Sequence, residues 1–384
     1  MRVCLVYDRL YPLTLGGAER WYRNLGLALS ARGHEVAYAT LRHWDRDREP
    51  DIPGVRVVTL GPRLEAYSKE RRRILPPIAF GLALFVHLMR HGRGYDVVHT
   101  ASFPYFSVLA AAAARPRGRY RLVVDWHETW TYSGWLAYAG PVAGRLGWAI
   151  QSACVRLRHR AFTFSRLHAA RLAEQGLSEP ATILTGEYAG PEEPPSTGPA
   201  EPLVVFAGRH IPEKRVPAVV GAVEEARKRI PELRCTIFGE GPQREEVMRV
   251  VEERGLSGFI DVPGFVEEEV LDEAMRHAMC LLLPSSREGY GMVVVEAAAR
   301  GTPSIVVDGP DNAAVELLEE GVNGVVAPSA GAKDLAAAIE RVHTGGGGMR
   351  ASTAQWYERN SRRLSLEGSL ELILDGYGEQ VARV

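Results

Sequence analysis

Two carboxylates eight positions apart, Glu288 and Glu296, carry the strongest chemical signal in this sequence. They lie in Leu281-Leu-Leu-Pro284-Ser285-Ser286-Arg287-Glu288-Gly289-Tyr290-Gly291-Met292-Val-Val-Val-Glu296, where an apolar run stops at a proline and a polar loop follows. Helical periodicity then resumes near Tyr290 and ends at Gly301. Backbone N–H groups at a helix start have no intrahelical acceptor and, with the helix dipole, favour an anion. A diphosphate is therefore the expected ligand over the segment Gly289, Tyr290, Gly291 and Met292. At the helical rise per residue Glu296 stands on the order of 12 Å from Glu288, a span that suits an extended nucleotide diphosphate sugar. Carboxylates only accept hydrogen bonds, so one suits hydroxyls of a transferred sugar and the other a ribose diol. The plainer account makes both solvated acids. It sits badly with Glu296 among Val293, Val294, Val295, Ala297, Ala298 and Ala299, where an unpartnered charge is costly.

The elements that must position these groups alternate short Val-, Ile-, Leu- and Phe-rich runs with longer stretches of helical period, as expected of parallel sheets covered on both faces. Strands are expected at 2–7, 35–40, 55–60, 96–100, 121–125, 161–164 and 181–184, and a second set at 203–206, 234–238, 259–262, 279–283 and 304–307. Helices are expected at 217–229, 244–254 and 266–277, and the glycine run 345–348 ends another around 335–343. The Pro-, Gly-, Glu- and Ser-dense stretch between the two strand sets has no periodicity and reads as a linker. The fold class is thus α/β, with two doubly wound Rossmann-like domains facing across a cleft: 1–186, a linker at 187–202, 203–364, and a terminal helix over 365–384. Ligands of such sheets bind at strand carboxyl ends, so functional residues belong in strand-to-helix loops.

With these motifs the chain resembles the retaining glycosyltransferases of family four (glycosyl transferases group 1), and the likeness runs over nearly its whole length; it implies the GT-B architecture, an acceptor-side first domain, a nucleotide-sugar donor-binding second domain and a C-terminal helix that crosses back to the first domain. In that family two glutamates in a Pro-Ser-x-x-Glu-Gly-x-Gly setting mark the donor site, and Pro284, Ser285, Glu288, Gly289, Gly291 and Glu296 match. The resemblance gives Arg209 and Lys214, in Phe206-Ala-Gly208-Arg209-His210-Ile-Pro-Glu213-Lys214-Arg215, the task of gripping the donor diphosphate. A guanidinium and an ammonium can neutralise that leaving group in place of a metal; a solvated basic loop is the alternative, and His210 and Arg215 read as surface residues. Gly16 and Gly17, after the first strand, match a glycine pair set against the diphosphate, although a Gly-Gly alone is as well explained by a tight turn. Phe265 falls in a segment that lines the nucleotide base in relatives. His127, in Val123-Val-Asp125-Trp126-His127-Glu128-Thr-Trp130, matches a histidine near the transferred sugar, against which stands a structural imidazole. Gly239-Glu-Gly241-Pro242 resembles a family turn; its glycines are equally turn residues.

The resemblance implies a hexosyltransferase that moves a hexosyl or N-acetylhexosaminyl group from a UDP-linked donor, with retention and no metal, a phosphate oxygen serving as base. Glu288, His127, Arg209 and Lys214 are its expected catalytic residues, and no cofactor is expected because the nucleotide sugar is a substrate. Where many relatives carry Pro-Asn-Gly before the linker, this chain has Leu184-Thr185-Gly186-Glu187-Tyr188, so no role transfers there. Trp126, Trp130, Tyr132 and Trp135 read either as an apolar acceptor platform or as packing between helices. Asp8 is either a cleft residue or a strand-end cap, and Ser165 and Arg166 resemble a strand end without a clear role.

Composition excludes other classes. A net charge of -1 with 46% hydrophobic and 24% charged residues is not that of a nucleic-acid binder. Cys4, Cys154, Cys235 and Cys280 form no CxxC pair and read as buried thiols of a reducing compartment. The first residues lack a signal-peptide pattern, so a cytoplasmic location is expected, with peripheral contact at the inner membrane face left open by the basic run 69–73 before the apolar 74–89. Position 244, where a dinucleotide fingerprint needs its last glycine, is Arg244, which argues against a nicotinamide enzyme. A GT-B-like nucleotide-sugar epimerase and a non-catalytic partner protein are the rival readings. The hydroxyl acceptor and the oligomeric state have no signature.

Overall fold

The computed structural model describes residues 1–14, 16–45, 50–61, 67–68, 71–72, 75–188, 190 and 194–378. The chain forms two compact units, Met1–Ala189 with Ser365–Val384, and Gly190–Leu364.

In the first unit β1 (Arg2–Val6), β2 (Glu35–Thr40) and β3 (Val55–Thr59) precede a short antiparallel pair, β4 (Tyr67–Ser68) and β5 (Arg71–Arg72). Then come β6 (Val97–Ala101), β7 (Arg121–Trp126), β8 (Arg160–Thr163) and β9 (Thr182–Ile183). Seven of them make one sheet in the order β3-β2-β1-β6-β7-β8-β9, every neighbouring pair parallel. Parallel strands need crossovers, supplied by α1 (Gly17–Ala31), α2 (Leu75–His91), α3 (Phe106–Gly118), α4 (Tyr132–Arg156) and α5 (Arg166–Glu174). Because helices cover both faces, the strands read as unbroken apolar runs, and all of β6 is buried. α2 packs Phe80, Leu84 and Leu88, at a four-residue spacing, into the core that Val98, Leu122 and Val124 fill from the sheet. The order reverses between β1 and β6, which sets a crevice at their carboxyl ends.

The second unit repeats the plan with β10 (Glu201–Ala207), β11 (Arg234–Phe238), β12 (Ile260–Gly264), β13 (Ala278–Leu283), β15 (Ser304–Val307) and β17 (Gly324–Ala327) in the order β12-β11-β10-β13-β15-β17, again parallel. Two residues each from β14 (Arg287–Glu288) and β16 (Asp311–Asn312) pair beside it. Its helices are α6 (Val216–Ala226), α7 (Arg244–Glu253), α8 (Glu268–His277), α9 (Met292–Ala299) and α10 (Ala332–Leu364). α10 bends at Gly346, whose φ of 47° and ψ of -134° break the helix where the glycine run falls. The final helix, α11 (Leu366–Gly376), belongs to the first unit, with Leu370 and Ile373 fully buried.

The expected strands appear within a few residues of their predicted limits. β4, β5, β14, β16 and β17 were not foreseen, being too short or too near a turn for periodicity to register. The segment read as a linker, 187–202, is structured at both ends. Glu187 and Tyr188 are buried, with Tyr188 bridged to Ser365, and residues 201 and 202 already belong to β10. In between, Ser196 N–H donates to the Arg300 carbonyl at 3.2 Å. Residues 69, 70 and 73 of the basic run lie outside the described residues, as do 379–384 of the expected terminal helix. Among the described residues no helix is long and apolar enough to cross a membrane.

Since Leu370 lies in α11 yet sits in the first unit's core, Leu370→Ala should destabilise that unit by about 2–5 kcal/mol. Hydrogen exchange should then rise in β6, β7 and β8 while β10, β11 and β13 keep their protection; the reverse pattern would place α11 wrongly.

Candidate functional site

In the second unit the sheet's carboxyl edge gathers the expected donor residues into three neighbouring loops. β10 ends in Gly208, followed by exposed Arg209 and a single 3-10 turn, Pro212–Lys214. β13 ends in Pro284 and Ser285, followed by Ser286 and β14. The two loops are stitched together, for Ser286 donates to the Glu213 carbonyl through both its N–H, at 2.8 Å, and its hydroxyl, at 3.1 Å. One residue beyond Glu213 and two beyond Ser286, Lys214 Nζ donates to Glu288 Oε1 at 2.5 Å, with the carboxylate side chain 10% and the ammonium 20% exposed. A charge-assisted bond at this depth is strong, and losing either partner strands the other. Glu288 is further held by the pairing of β14 with β16, whose Asn312 donates to the carbonyls of Val307 and Ser285 at 2.7 and 3.3 Å.

The third loop follows β11. Gly239 (φ 118°) and Gly241 (φ 151°) both adopt backbone that side chains disfavour, and a Cβ on either would strike the carbonyl of Gly208 or His210. Gly239 N–H donates to the Gly264 carbonyl at 2.8 Å and His210 N–H to the Glu240 carbonyl at 2.8 Å, so β10, β11 and β12 end in one interlocked turn. This turn seats Arg209 and presents Phe265, 56% exposed, just past β12. His210, expected at the surface, is fully buried with its ring edge-on to Phe206, and burial lowers its pKa.

The helix after Glu288 starts later than expected. Gly291, left-handed at φ 107°, precedes Met292 as the first helical residue, and Tyr290 turns its side chain inward at 7% exposure. The N–H groups at the helix start therefore begin at Met292, with Val294 N–H already donating to the Gly291 carbonyl at 2.9 Å and Gly289 and Gly291 shaping the approach. A Cβ on Gly291 would come within 2.8 Å of the Ala314 Cβ, so this glycine is required by space as well as by φ. Glu296 lies half-buried on α9.

The first unit carries Gly16, Gly17 and His127. Gly16 is extended (φ 173°) and caps α1, and Gly17, exposed, opens it. The carboxylate of Glu19 lies where a Cβ on Gly16 would stand. His127 follows β7, its ring stacked on Phe164 at 4.8 Å and 2°, with Tyr22 of α1 edge-on at 6.2 Å. Its Nε2 is closed to solvent and has no hydrogen-bond partner among the described residues. Burial, with the nearby His99 ring, lowers its pKa to about 4 against the pull of Asp125, so at neutral pH it is an uncharged imidazole. The aromatic platform reading fails for two members: Trp126 and Trp135 are buried, donating to His159 at 3.1 Å and Gln151 at 2.9 Å. Tyr132 is exposed and Trp130 half-buried. Ser165 caps α5, accepting from His168 N–H at 3.2 Å. Asp8 is 4% exposed at the end of β1, and its carbonyl meets His43 Nε2 at 2.7 Å.

Sequence reasoning missed Asp125, His99, Trp21 and Tyr377. Asp125 is fully buried and accepts from Trp21 Nε1 at 2.8 Å and His99 Nε2 at 2.6 Å. A signal was present: an aspartate and a histidine inside apolar strand runs cannot stay buried without partners. Among the described residues no group of three or more His, Cys, Asp or Glu side chains is set to hold a metal.

Residues 192–362 match the family Glycosyl transferases group 1, and residues 16–185 match the Glycosyl transferase 4-like domain. The chain is 27% identical over 364 residues to a glycogen synthase of Mycobacterium tuberculosis, covering 89% of this chain and 86% of that one. A 29% identical match to the alpha-D-kanosaminyltransferase of Streptomyces kanamyceticus covers only 37% of this chain and 36% of that enzyme. The fold is that of sucrose-phosphate synthase from Thermosynechococcus elongatus (TM-score 0.79, 19% identity, 98% of each chain). It is also that of Anabaena HepE in complex with UDP (TM-score 0.74, 17% identity, 98% and 100% of the chains). Both are two Rossmann-like sheets of GT-B type.

His127 and His159, the latter also lowered to about 4 by burial, are neutral when folded but charge near 6.5 in the unfolded chain. Between those values the unfolded state binds more protons, so their contribution is complete above 6.5 and is lost as pH falls toward 4. Denaturant midpoints should drop across that window, and His159→Gln should flatten the drop; an unchanged slope would contradict the burial of this ring.

Proposed function

The chain belongs to the group 1 glycosyltransferases, and on that premise we propose that it moves a hexosyl or N-acetylhexosaminyl group from a UDP-linked sugar to a hydroxyl acceptor, with retention and without a metal. The observation that carries this reading is the Lys214–Glu288 contact of 2.5 Å, held by the stitch between Ser286 and Glu213. It brings together, at the end of one sheet, an ammonium suited to a diphosphate and a carboxylate suited to sugar hydroxyls. Support comes also from the HepE structures, which hold UDP and UDP-glucose.

In this mechanism Lys214 and Arg209 take up the charge that develops on the diphosphate as the glycosidic bond breaks, with the N–H groups that open α9 as a third source of positive potential. These donors sit on interlocked turns and need little reorganisation during reaction. Glu288 keeps one oxygen on Lys214 and offers the other to a hydroxyl of the transferred sugar, while Glu296 accepts from the ribose diol. Phe265 offers an exposed face to the base. His127, a neutral imidazole on the first unit, is read as that unit's contribution to sugar binding. The acceptor oxygen attacks on the face that the leaving diphosphate vacates, and a phosphate oxygen takes its proton, which preserves the anomeric configuration. The cations meet the electrostatic need that a divalent metal would otherwise meet. We place the reaction in the cytoplasm, where nucleotide sugars are available.

Thermal stabilisation by UDP, GDP, ADP and NAD tests the donor site, since ligand at a hundred times Kd adds about 2.7 kcal/mol. UDP should shift the transition most and NAD least. Lys214→Ala should weaken UDP binding roughly tenfold or more, and Glu296→Ala should reduce the UDP shift. Glu288→Gln should keep the UDP shift but lower sugar transfer from UDP-glucose or UDP-N-acetylglucosamine by about a hundredfold or more. No shift with any nucleoside diphosphate at millimolar concentration would sink the proposal.

A further inference from the structure

The first unit buries a chain of polar side chains for which donor chemistry has no use. Asp125 accepts from Trp21 Nε1 and His99 Nε2; on the far side of the same ring His99 Nδ1 meets the Tyr377 hydroxyl at 2.6 Å. Asp125 and His99 have no exposure and Tyr377 has 3%. One carboxylate thus ties α1, β6 and β7 to the residue that caps α11.

The partners settle which atoms carry protons. Burial and the nearby Asp125 push the Tyr377 phenol well above its usual range, so it stays protonated and donates to His99 Nδ1. His99 then carries its proton on Nε2 and donates to Asp125. Burial pushes the Asp125 pKa up, but the His99 contact and the Trp21 bond more than offset it and the carboxyl stays ionised. Such fixing of a tautomer by the group on the opposite nitrogen is a general way to orient an imidazole. Remove the phenol oxygen, and Nδ1 is left buried without a donor; the ring must rotate or change tautomer, and Asp125 loses its closest bond.

We infer that Tyr377 is a positioning residue for the sugar-binding edge of the first unit. Through His99 it holds Asp125, and Asp125 holds both the strand end two residues before His127 and, by Trp21, the helix that Gly17 opens. The role of His127 in this inference rests on the proposal that its imidazole contacts the transferred sugar. The other end of α11 is fastened where the chain leaves the unit. Ser369 hydroxyl donates to the Gly186 carbonyl at 2.6 Å and accepts from Gly186 N–H at 3.1 Å, and Leu366 N–H donates to the Tyr188 carbonyl at 2.8 Å. The relay therefore runs from the exit of the chain to the loop of His127.

Hydrogen exchange on Tyr377→Phe and His99→Gln tests the relay without need of turnover. Exchange should rise at least tenfold in segments 17–25, 97–101 and 121–130 and stay unchanged over 201–364. A uniform rise, or none, would overturn the relay. With UDP-glucose as donor and release of UDP as readout, Tyr377→Phe should lower kcat about tenfold and leave the donor KM within twofold. His127→Ala separates the two claims: if it turns over normally while Tyr377→Phe loosens these segments, the sugar-contact reading fails and the relay stands. If His127→Ala is slow and Tyr377→Phe is not, the relay fails. Should neither relay variant fold, 15N spectra of the parent protein decide, with the His99 proton expected on Nε2; a proton on Nδ1 alone would refute the assignment.

Discussion

A carboxylate taken wholly out of water is among the costliest groups a small core can hold, and Asp125 is such a group at the centre of the first unit. Its burial obliges α1 to present Trp21 and β6 to present His99, whose second ring nitrogen is met by Tyr377 at the end of α11. A helix more than 200 residues away in sequence is thereby made part of this unit. Leu370 and Ile373 bury the apolar face of α11, and its register is fixed at both ends, by Tyr377 on His99 and by Ser369 and Leu366 on Gly186 and Tyr188.

The second unit solves a different problem, that of assembling a charged site from loops which would otherwise wander. Its answer is backbone contact. Ser286 grips Glu213, Gly239 grips Gly264, and His210 grips Glu240, so that the loops after four strands constrain one another. The glycines are the condition for this, because carbonyl oxygens occupy the space where side chains would begin. Lys214 and Glu288 meet on this frame with little freedom left to lose, and a preorganised pair is what stabilisation of a developing diphosphate charge requires.

Much of the site was legible because its residues answer to local chemistry. A proline-stopped strand, a polar loop with Glu288 and two glycines, and a following helix can be read in order, as can the basic loop with Arg209 and Lys214. The departures have physical causes. Tyr290 turns inward because the left-handed Gly291 delays the helix to Met292. His210 sinks between β10 and the Gly241 turn although its neighbours are charged. Trp126 and Trp135 are consumed by packing around Gln151 and His159, a choice that depends on how α4 lies across the sheet. The expected linker is pinned at its start by Ser365 and partway along by Arg300, partners that no local pattern reveals.

The sequence by itself determined the class of fold, two parallel sheets under helices, because strand burial on both faces leaves an apolar run of fixed length and helices leave their own period. It also nominated the residues proposed for the donor site, from their types and spacings. Only the tertiary structure decided that Lys214 rests on Glu288, that His127 is a neutral, stacked imidazole, and that Tyr377 reaches His99. Each of these joins residues tens to hundreds of positions apart, and such meetings are set by strand order and helix packing, which local propensity does not encode.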